Sequence, residues 1–171
     1  MMSVRYVVPL LPAAVFAMGL IVGMGLTAGV VVAAQPARPV ATMLATGTLE
    51  TPAHAVIVSH GEMGTLAGMA DVREVRMVRF ELAPGGAFPW HRHPGPVWVV
   101  VTRGTLTFYG DTCNAHRYPA GTAFFDPGNL THTARNEGEE PLEVIATFML
   151  PADVGAPSVP HQAPGSCPIE A

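Results

Sequence analysis

The sequence predicts an all-β domain, a closed barrel or a sandwich, that follows an N-terminal hydrophobic helix. Short runs rich in β-branched and aromatic residues recur at spacings of about 8–12 residues, which is typical of these folds. Turns containing Gly or Pro separate the runs, and no helical period of apolar residues lies between them. The chain has 171 residues, a length that suggests one domain with additional terminal segments.

Eight runs are predicted to be strands. The clearest spans residues 73–82, where Val78, Phe80 and Leu82 fall on one face of an extended chain. The run 97–102 is almost entirely apolar, which predicts a strand buried on both faces. The other predicted strands are 55–59, 105–109, 116–118, 122–126, 131–136 and 142–150.

The first 34 residues form a hydrophobic segment that predicts export from the cytoplasm. Residues 6–34 carry no charge, and about 20 apolar residues suffice to cross a bilayer as a helix. One interpretation is a cleaved signal sequence, with Val32-Ala33-Ala34 as the cleavage site; the other is an uncleaved transmembrane signal anchor, which the length of the run favours. Arg5 would stay in the cytoplasm. We therefore expect an extracytoplasmic protein, membrane-anchored or secreted.

Beyond this segment, three further regions differ in amino-acid composition and strand pattern. Residues 35–53 are rich in Ala, Pro and Thr and are predicted to be a linker. Residues 54–150 contain the predicted strands, and residues 151–171 form a Pro-rich tail without a strand pattern. Because an even number of cysteines in an oxidising compartment favours pairing, Cys113 and Cys167 are predicted to form a disulfide that holds this tail against the domain.

The charge pattern excludes several functions. The formal net charge is −4, and all nine basic residues are scattered arginines. Without a basic stripe, nucleic-acid binding is not expected. The chain also has no nucleophile constellation, phosphate-binding loop or dinucleotide fingerprint.

Histidines carry the main chemical signal in the sequence. In a strand, residues i and i+2 share a face, so His91 and His93 project together. His132, on a later predicted strand, supplies a third imidazole, and imidazole nitrogen is a good ligand for Zn, Cu, Fe and Ni. We therefore predict a metal site formed by these three residues. The remaining histidines are expected at the surface: His54, His60, His116 and His161.

The spacing around the first two histidines resembles the first motif of the cupin superfamily. That motif reads Gly, five residues, His-x-His, three or four residues, Glu, six residues, Gly. The corresponding positions here are Gly85, His91, His93, Val97 and Gly104, with intervals of five, three and six residues.

The segment around the third histidine is similar to the second motif of the same superfamily. That motif reads Gly, five residues, Pro-x-Gly, two residues, His, three residues, Asn. The corresponding positions here are Gly121, Pro127, Asn129, His132 and Asn136. Asn129 replaces a motif glycine, and Asn tolerates a positive φ better than most residues, so the turn can be kept. The motif's final Asn is expected to be structural.

The resemblance implies a cupin-like double-stranded β-helix, or jelly-roll barrel, with one divalent ion, which is Fe, Zn, Cu, Mn or Ni. Since Val97 stands where the motif has Glu, ligands carry over only to His91, His93 and His132. Such a neutral set leaves the full charge on the ion and favours anionic, chelating ligands. Three-His sites are similar to those of cupin dioxygenases that act on thiols or diketones. Cupins also commonly pair through their outer strands, which implies a possible homodimer.

Three functions remain open at this point. The first is a metal-dependent oxidoreductase of the dioxygenase type acting on a small organic substrate. The second is a binding or sensing module that holds a small-molecule ligand without turnover, and the third is a structural metal site. Spare coordination positions and turnover would favour the oxidoreductase. A ligand bound without turnover would favour the binding module, and a closed, inert site would favour the structural role. The sequence assigns no catalytic residue.

Overall fold

The computed structural model describes residues 35–61, 64–169 and 171. These belong to the unit Ala34–Ala171. They form ten strands and no helix: β1 Val40–Gly61, β2 Gly64–Leu82, β3 His91–Arg92, β4 Val97–Arg103, β5 Thr105–Tyr109, β6 Ala115–Pro119, β7 Ala123–Asp126, β8 Thr133–Arg135, β9 Leu142–Leu150 and β10 Val159–Pro160.

The larger sheet contains five antiparallel strands in the order β1-β2-β9-β4-β7. Its register pairs Val78 with Ala146, and Ala146 in turn with Val99. Along β9, every second residue from Leu142 to Leu150 is buried, as a strand with one face on a core requires. The inner face of this sheet therefore forms one wall of the core.

The opposite wall consists of two smaller sheets, β6-β5-β8 and β10-β3. Isolated bridges join them, between Ala87 and Arg135 and between His91 and His132. Leu106 and Phe108 of β5 pack against buried residues of the larger sheet in one hydrophobic cluster. Two facing walls of antiparallel strands around this core, one formed by the larger sheet and one by the two smaller sheets, confirm the predicted all-β fold, a double-stranded β-helix.

The N-terminal segment lies outside the described residues, so the predicted hydrophobic helix over 1–34 stays a prediction. Within the described ranges, no helix is long and apolar enough to span a membrane.

Residues 35–53 were expected to be a linker, but most of them belong to the edge strand β1. β1 begins at Val40, which pairs with Glu81 of β2. The partners are distant in sequence, and the backbone hydrogen bonds between them stabilise a strand that the local Ala- and Thr-rich pattern does not indicate. β2 pairs with β9 only from Glu74 onward, so the distal parts of β1 and β2 form a two-stranded arm.

The expectation that residues 97–102 are buried on both faces was wrong. Val97 and Val101 are buried, whereas Trp98 and Val100 are 40% and 42% exposed. β4 lies inside the sheet, but among the described residues no second layer covers this part of the outer face. An apolar run therefore marks a strand without showing that both of its faces are covered.

The C-terminal segment is held against the domain. Cys113 and Cys167 form a disulfide with an S–S distance of 2.02 Å, and Cys167 is fully buried. The short strand β10, which the sequence pattern did not indicate, pairs with β3. Trp90 Nε1 also donates to the carbonyl of Ile169 at 2.9 Å. Residues of this segment consequently pack over the strand that carries His91.

Candidate metal centre

Three histidines from two neighbouring segments converge inside the barrel. His91 lies in β3, His93 follows it, and His132 directly precedes β8. The backbones of His91 and His132 exchange two hydrogen bonds, of 3.0 and 2.9 Å, which place the two side chains next to each other. One ring nitrogen of each histidine lies within 4.8 Å of the others. The structure thus brings together all three residues that the sequence proposes as ligands.

The ring orientations leave one nitrogen of each imidazole free. In every case Nδ1 faces a backbone carbonyl oxygen: Pro89 at 2.6 Å from His91, Pro157 at 2.8 Å from His93, and Leu130 at 3.0 Å from His132. A carbonyl only accepts, so Nδ1 carries the proton and donates. The Nε2 atoms are then unprotonated, and each has a lone pair that can bind a metal ion, which is the arrangement that metal-binding histidines commonly adopt.

Burial also keeps these imidazoles uncharged. The exposed fractions of His91, His93 and His132 are 9%, 6% and 4%. Desolvation lowers the pKa of all three, that of His93 to about 4 and that of His132 to about 3. At neutral pH they are therefore neutral ligands that need not lose a proton before binding a cation.

Two turns around the histidines are tightly packed. Asn129 has a φ of 52°, the left-handed conformation that was expected for this replacement of a motif glycine, and its N–H donates to the His93 carbonyl at 2.9 Å. At Gly95 a Cβ atom would lie 2.0 Å from the carbonyl oxygen of Met149. Only a residue without a side chain fits there, two residues after His93.

A cavity of about 380 Å³ adjoins the three histidines. Its volume lies in the range usual for small-molecule sites. Its walls are mainly apolar, with Phe108 stacked on the His132 ring and Phe148 in edge contact with His93. The described lining residues include only two charged groups besides histidine, the exposed Arg38 and the buried Asp126. The cavity suits a small organic molecule with a polar end near the histidines.

Asp126 is a site residue that the sequence reasoning missed. It is 2% exposed, and its Oδ2 lies 3.2 Å from Nδ1 of His132. Burial raises the pKa of this carboxyl. Its position in the predicted strand 122–126 was a usable signal, because residues i and i+2 share a face and Asp126 therefore shares one with the apolar Phe124. The C-terminal Pro157 was missed too, since nothing local connects it with His93.

Other aromatic and polar residues near the histidines differ in their relation to the cavity. Trp90 alternates with His91 along the chain, which predicts an outward side chain like that of Arg92. It is instead 6% exposed and lines the cavity, because the C-terminal segment covers it. Tyr109, Tyr118 and Arg103 are not among the described residues that line the cavity. The side chain of Asn136 donates to the carbonyls of Leu82 and Glu140, which is a structural role, as expected.

Comparison with known proteins identifies related sequences. Residues 78–148 match the family model described as "Cupin domain". The chain is 39% identical over 90 residues to the rhicadhesin receptor of Pisum sativum, covering 48% of this chain and 42% of the relative. It is 34% identical to germin-like protein subfamily 2 member 1 of Arabidopsis thaliana, covering 54% and 44%. The match to nectarin-1 of a Nicotiana hybrid is 30% identical and covers 64% and 53%. The chain therefore spans about half the length of these curated relatives.

Solved structures with similar folds match less closely. The DMSP lyase DddQ of Ruegeria pomeroyi has a TM-score of 0.46 at 19% identity, covering 66% of this chain and 53% of the other. A cupin-like protein of Thermotoga maritima has a TM-score of 0.46 at 22% identity, covering 52% and 65%.

Proposed function

Because this chain belongs to the cupin superfamily, we propose that it is a metal-dependent oxidoreductase in which His91, His93 and His132 bind one divalent ion. The substrate is a small organic molecule held in the adjoining cavity. One observation carries the proposal: three buried, neutral imidazoles at the wall of that cavity each offer one ring nitrogen, and these nitrogens lie within 4.8 Å of one another.

The donor set fits such an ion. Imidazole nitrogen binds Fe, Zn, Cu, Mn or Ni, and three protein ligands leave coordination positions for a small molecule. When bound, the ion supplies Lewis-acid or redox activation. The carbonyls of Pro89, Pro157 and Leu130 fix the ring orientations, so the ligands are arranged before binding.

The chain's other residues support the binding of an organic substrate. Apolar side chains that include Phe88 and Phe148 line the cavity next to the histidines, and such walls suit the apolar part of an organic molecule. Arg38 lines the same cavity and offers a positive charge to a carboxylate or another anionic group. A small anion with an apolar part satisfies both the walls and the charge.

A second candidate function is ligand binding or sensing without turnover. It is favoured by the scarcity of proton-transfer groups, since the described lining offers only Asp126 and Arg38 besides the histidines, and each Nδ1 already faces a carbonyl. The two functions share the metal site and differ in whether a bound molecule is converted.

We also propose that the protein acts outside the cytoplasm, with residues 1–34 as its export signal or membrane anchor. The Cys113–Cys167 disulfide supports an oxidising compartment. Fractionation of cells that express the full chain tests this proposal: the protein is expected in the membrane or the periplasm. Recovery in the cytoplasm with both thiols free would contradict it.

Metal content tests the proposed site. The full-length chain, purified without added metal, is expected to contain about one equivalent of a single ion by elemental mass spectrometry. His91→Ala/His132→Ala should lose it. His54→Ala is the matched control, because this exposed imidazole pairs with Asp71 far from the centre. A folded wild type that takes up none of the five candidate ions would contradict the proposal.

Turnover then separates the two functions. Oxygen consumption by the loaded protein can be followed with a panel of small carboxylates, thiols and diketones. Consumption that depends on the substrate and is lost in His91→Ala/His132→Ala supports the oxidoreductase. Saturable binding of a panel member without product formation supports the binding module.

A further inference from the structure

Strands β4 and β7 place Asp126 directly opposite Val97. The two residues are register partners in the antiparallel pair, and they are 2% and 1% exposed. Directly opposed residues project to the same face of a sheet, so both side chains point to the interior. Val97 occupies the position at which the first cupin motif has Glu. The carboxylate that this position lacks is therefore present on the neighbouring strand.

One oxygen of this carboxylate has a partner and the other has none. Oδ1 accepts a 2.7 Å hydrogen bond from the N–H of Gly128. Oδ2 is fully buried and makes no hydrogen bond to any described residue. The nearby Nδ1 of His132 already donates to Leu130, although it lies 3.2 Å from Oδ2.

A buried oxygen of this kind is costly unless something compensates it. Leaving a buried polar acceptor unsatisfied costs about 1–3 kcal/mol, and more for a charged group. Asp126 lines the same cavity as the three histidines. A cation held by those histidines would compensate the carboxylate, and the carboxylate would offset part of the charge that three neutral ligands leave on the cation.

We propose that Asp126 is the anionic group of the metal site. It lies beside Nδ1 of His132, outside the group of three histidine ligands, and supplies from the adjacent strand the negative charge that the motif's glutamate would give at Val97. This inference rests on the proposed metal-binding function. It assigns to Asp126 a charge that strengthens binding of a divalent ion, in addition to the turn contact with Gly128.

Asp126→Asn separates the charge from the turn contact. The amide keeps an oxygen that can accept from Gly128, whereas the negative charge is lost. Glu81→Gln is the matched control, because it removes one negative charge from an exposed residue on the outer face of the larger sheet. Val97→Glu/Asp126→Asn returns a carboxylate to the motif position.

The test uses the full-length protein, stripped of metal and titrated with Zn²⁺ or Co²⁺ against a chromophoric chelator. Asp126→Asn is expected to weaken binding by about 10–100-fold. The melting temperature of its metal-free form should not fall, because a buried carboxylate has been removed. Glu81→Gln should bind as the wild type does, and Val97→Glu/Asp126→Asn should recover most of the affinity.

Two results would overturn the inference while leaving the proposed function intact. One is equal affinity in the wild type and Asp126→Asn. The other is a loss that Val97→Glu does not restore and that accompanies a lower melting temperature of the metal-free protein, since this combination indicates a structural role. A wild type that binds neither of these ions, nor Fe, Cu, Mn or Ni, would overturn the proposed function and this inference together.

Discussion

The carbonyl oxygen of Pro157 lies 2.8 Å from Nδ1 of His93, so the C-terminal segment orients one imidazole of the candidate metal centre. Pro157 is 64 residues away from that histidine in sequence. Its segment is held by the Cys113–Cys167 disulfide and by the pairing of β10 with β3. The arrangement of the centre consequently depends on how firmly this segment is attached.

Removal of the disulfide is expected to loosen the metal centre. In Cys113→Ser/Cys167→Ser, the Pro157 carbonyl is held less firmly on His93. Because partners that orient ligands typically contribute 10–100-fold to metal affinity, we expect a loss toward the lower end of that range. The free energy of unfolding should fall by about 2–4 kcal/mol. Transfer of Zn²⁺ to a chelator and urea unfolding measure the two effects.

A reductant supplies the control for this variant. Dithiothreitol should accelerate zinc transfer from the wild type and leave the rate of the double-serine variant unchanged. Equal transfer rates for the oxidised wild type and the variant would show that the disulfide does not support the centre.

Gly95 is expected to tolerate no side chain. A Cβ atom there would lie 2.0 Å from the carbonyl oxygen of Met149, whereas one at Gly110 would meet nothing within 4 Å. Gly95→Ala should therefore cost about 3 kcal/mol or more, at the upper end of overpacking effects. Gly110→Ala, the matched control, should change the free energy of unfolding by less than about 1 kcal/mol. Urea denaturation of both variants checks this, and similar values would contradict the close approach.

Replacement of Asn129 by glycine is expected to leave stability unchanged, whereas replacement by a β-branched residue is expected to lower it. Its φ of 52° is a left-handed conformation, which costs an L-residue with a branched side chain roughly 1–2 kcal/mol. Asn129→Gly should thus be close to neutral, and Asn129→Val should lose about that amount. Because the N–H of residue 129 donates to the His93 carbonyl, the valine variant should also release metal faster. Unfolding and zinc transfer are the measurements; a neutral valine variant would argue against this turn.

The metal-free protein should lose stability as the pH falls below neutrality. Desolvation lowers the pKa of His93 to about 4 and that of His132 to about 3 in the folded state, from 6.5. At pH values between the folded-state pKa and 6.5, these imidazoles bind protons in the unfolded chain but not in the folded chain. Stability therefore rises with pH in this range and falls on acidification. Each of these two imidazoles should make the free energy of unfolding roughly 2 kcal/mol lower at pH 5 than at pH 7.

Urea unfolding of the metal-free protein at pH 7 and pH 5 tests this pH dependence. His132→Gln is the informative comparison, because it removes one titrating ring and should show a smaller difference between the two pH values. A wild type that is equally stable at both would contradict the burial of neutral imidazoles.

Local patterns determined much of the fold and the ligand set. Alternation along residues 73–82 placed Val78 and Leu82 in the core, where they are buried. The same two-residue period aligned His91 with His93, because side-chain direction in a strand depends only on neighbouring residues. The positive φ of Asn129 was likewise expected from its own chemistry and from the motif. Each of these inferences rests on residues close together in sequence.

The remaining features depended on contacts between distant residues. β1 begins at Val40 because Glu81 is its partner, and Trp98 stays exposed because no described layer covers the outer face. Only strand register placed Asp126 opposite Val97. The sequence by itself therefore determined that His91 and His93 share a face, and its resemblance to the second motif added His132. The tertiary structure decided which carboxylate and which carbonyl accompany them, because pairing across strands is set by the packing of the whole barrel and not by local periodicity.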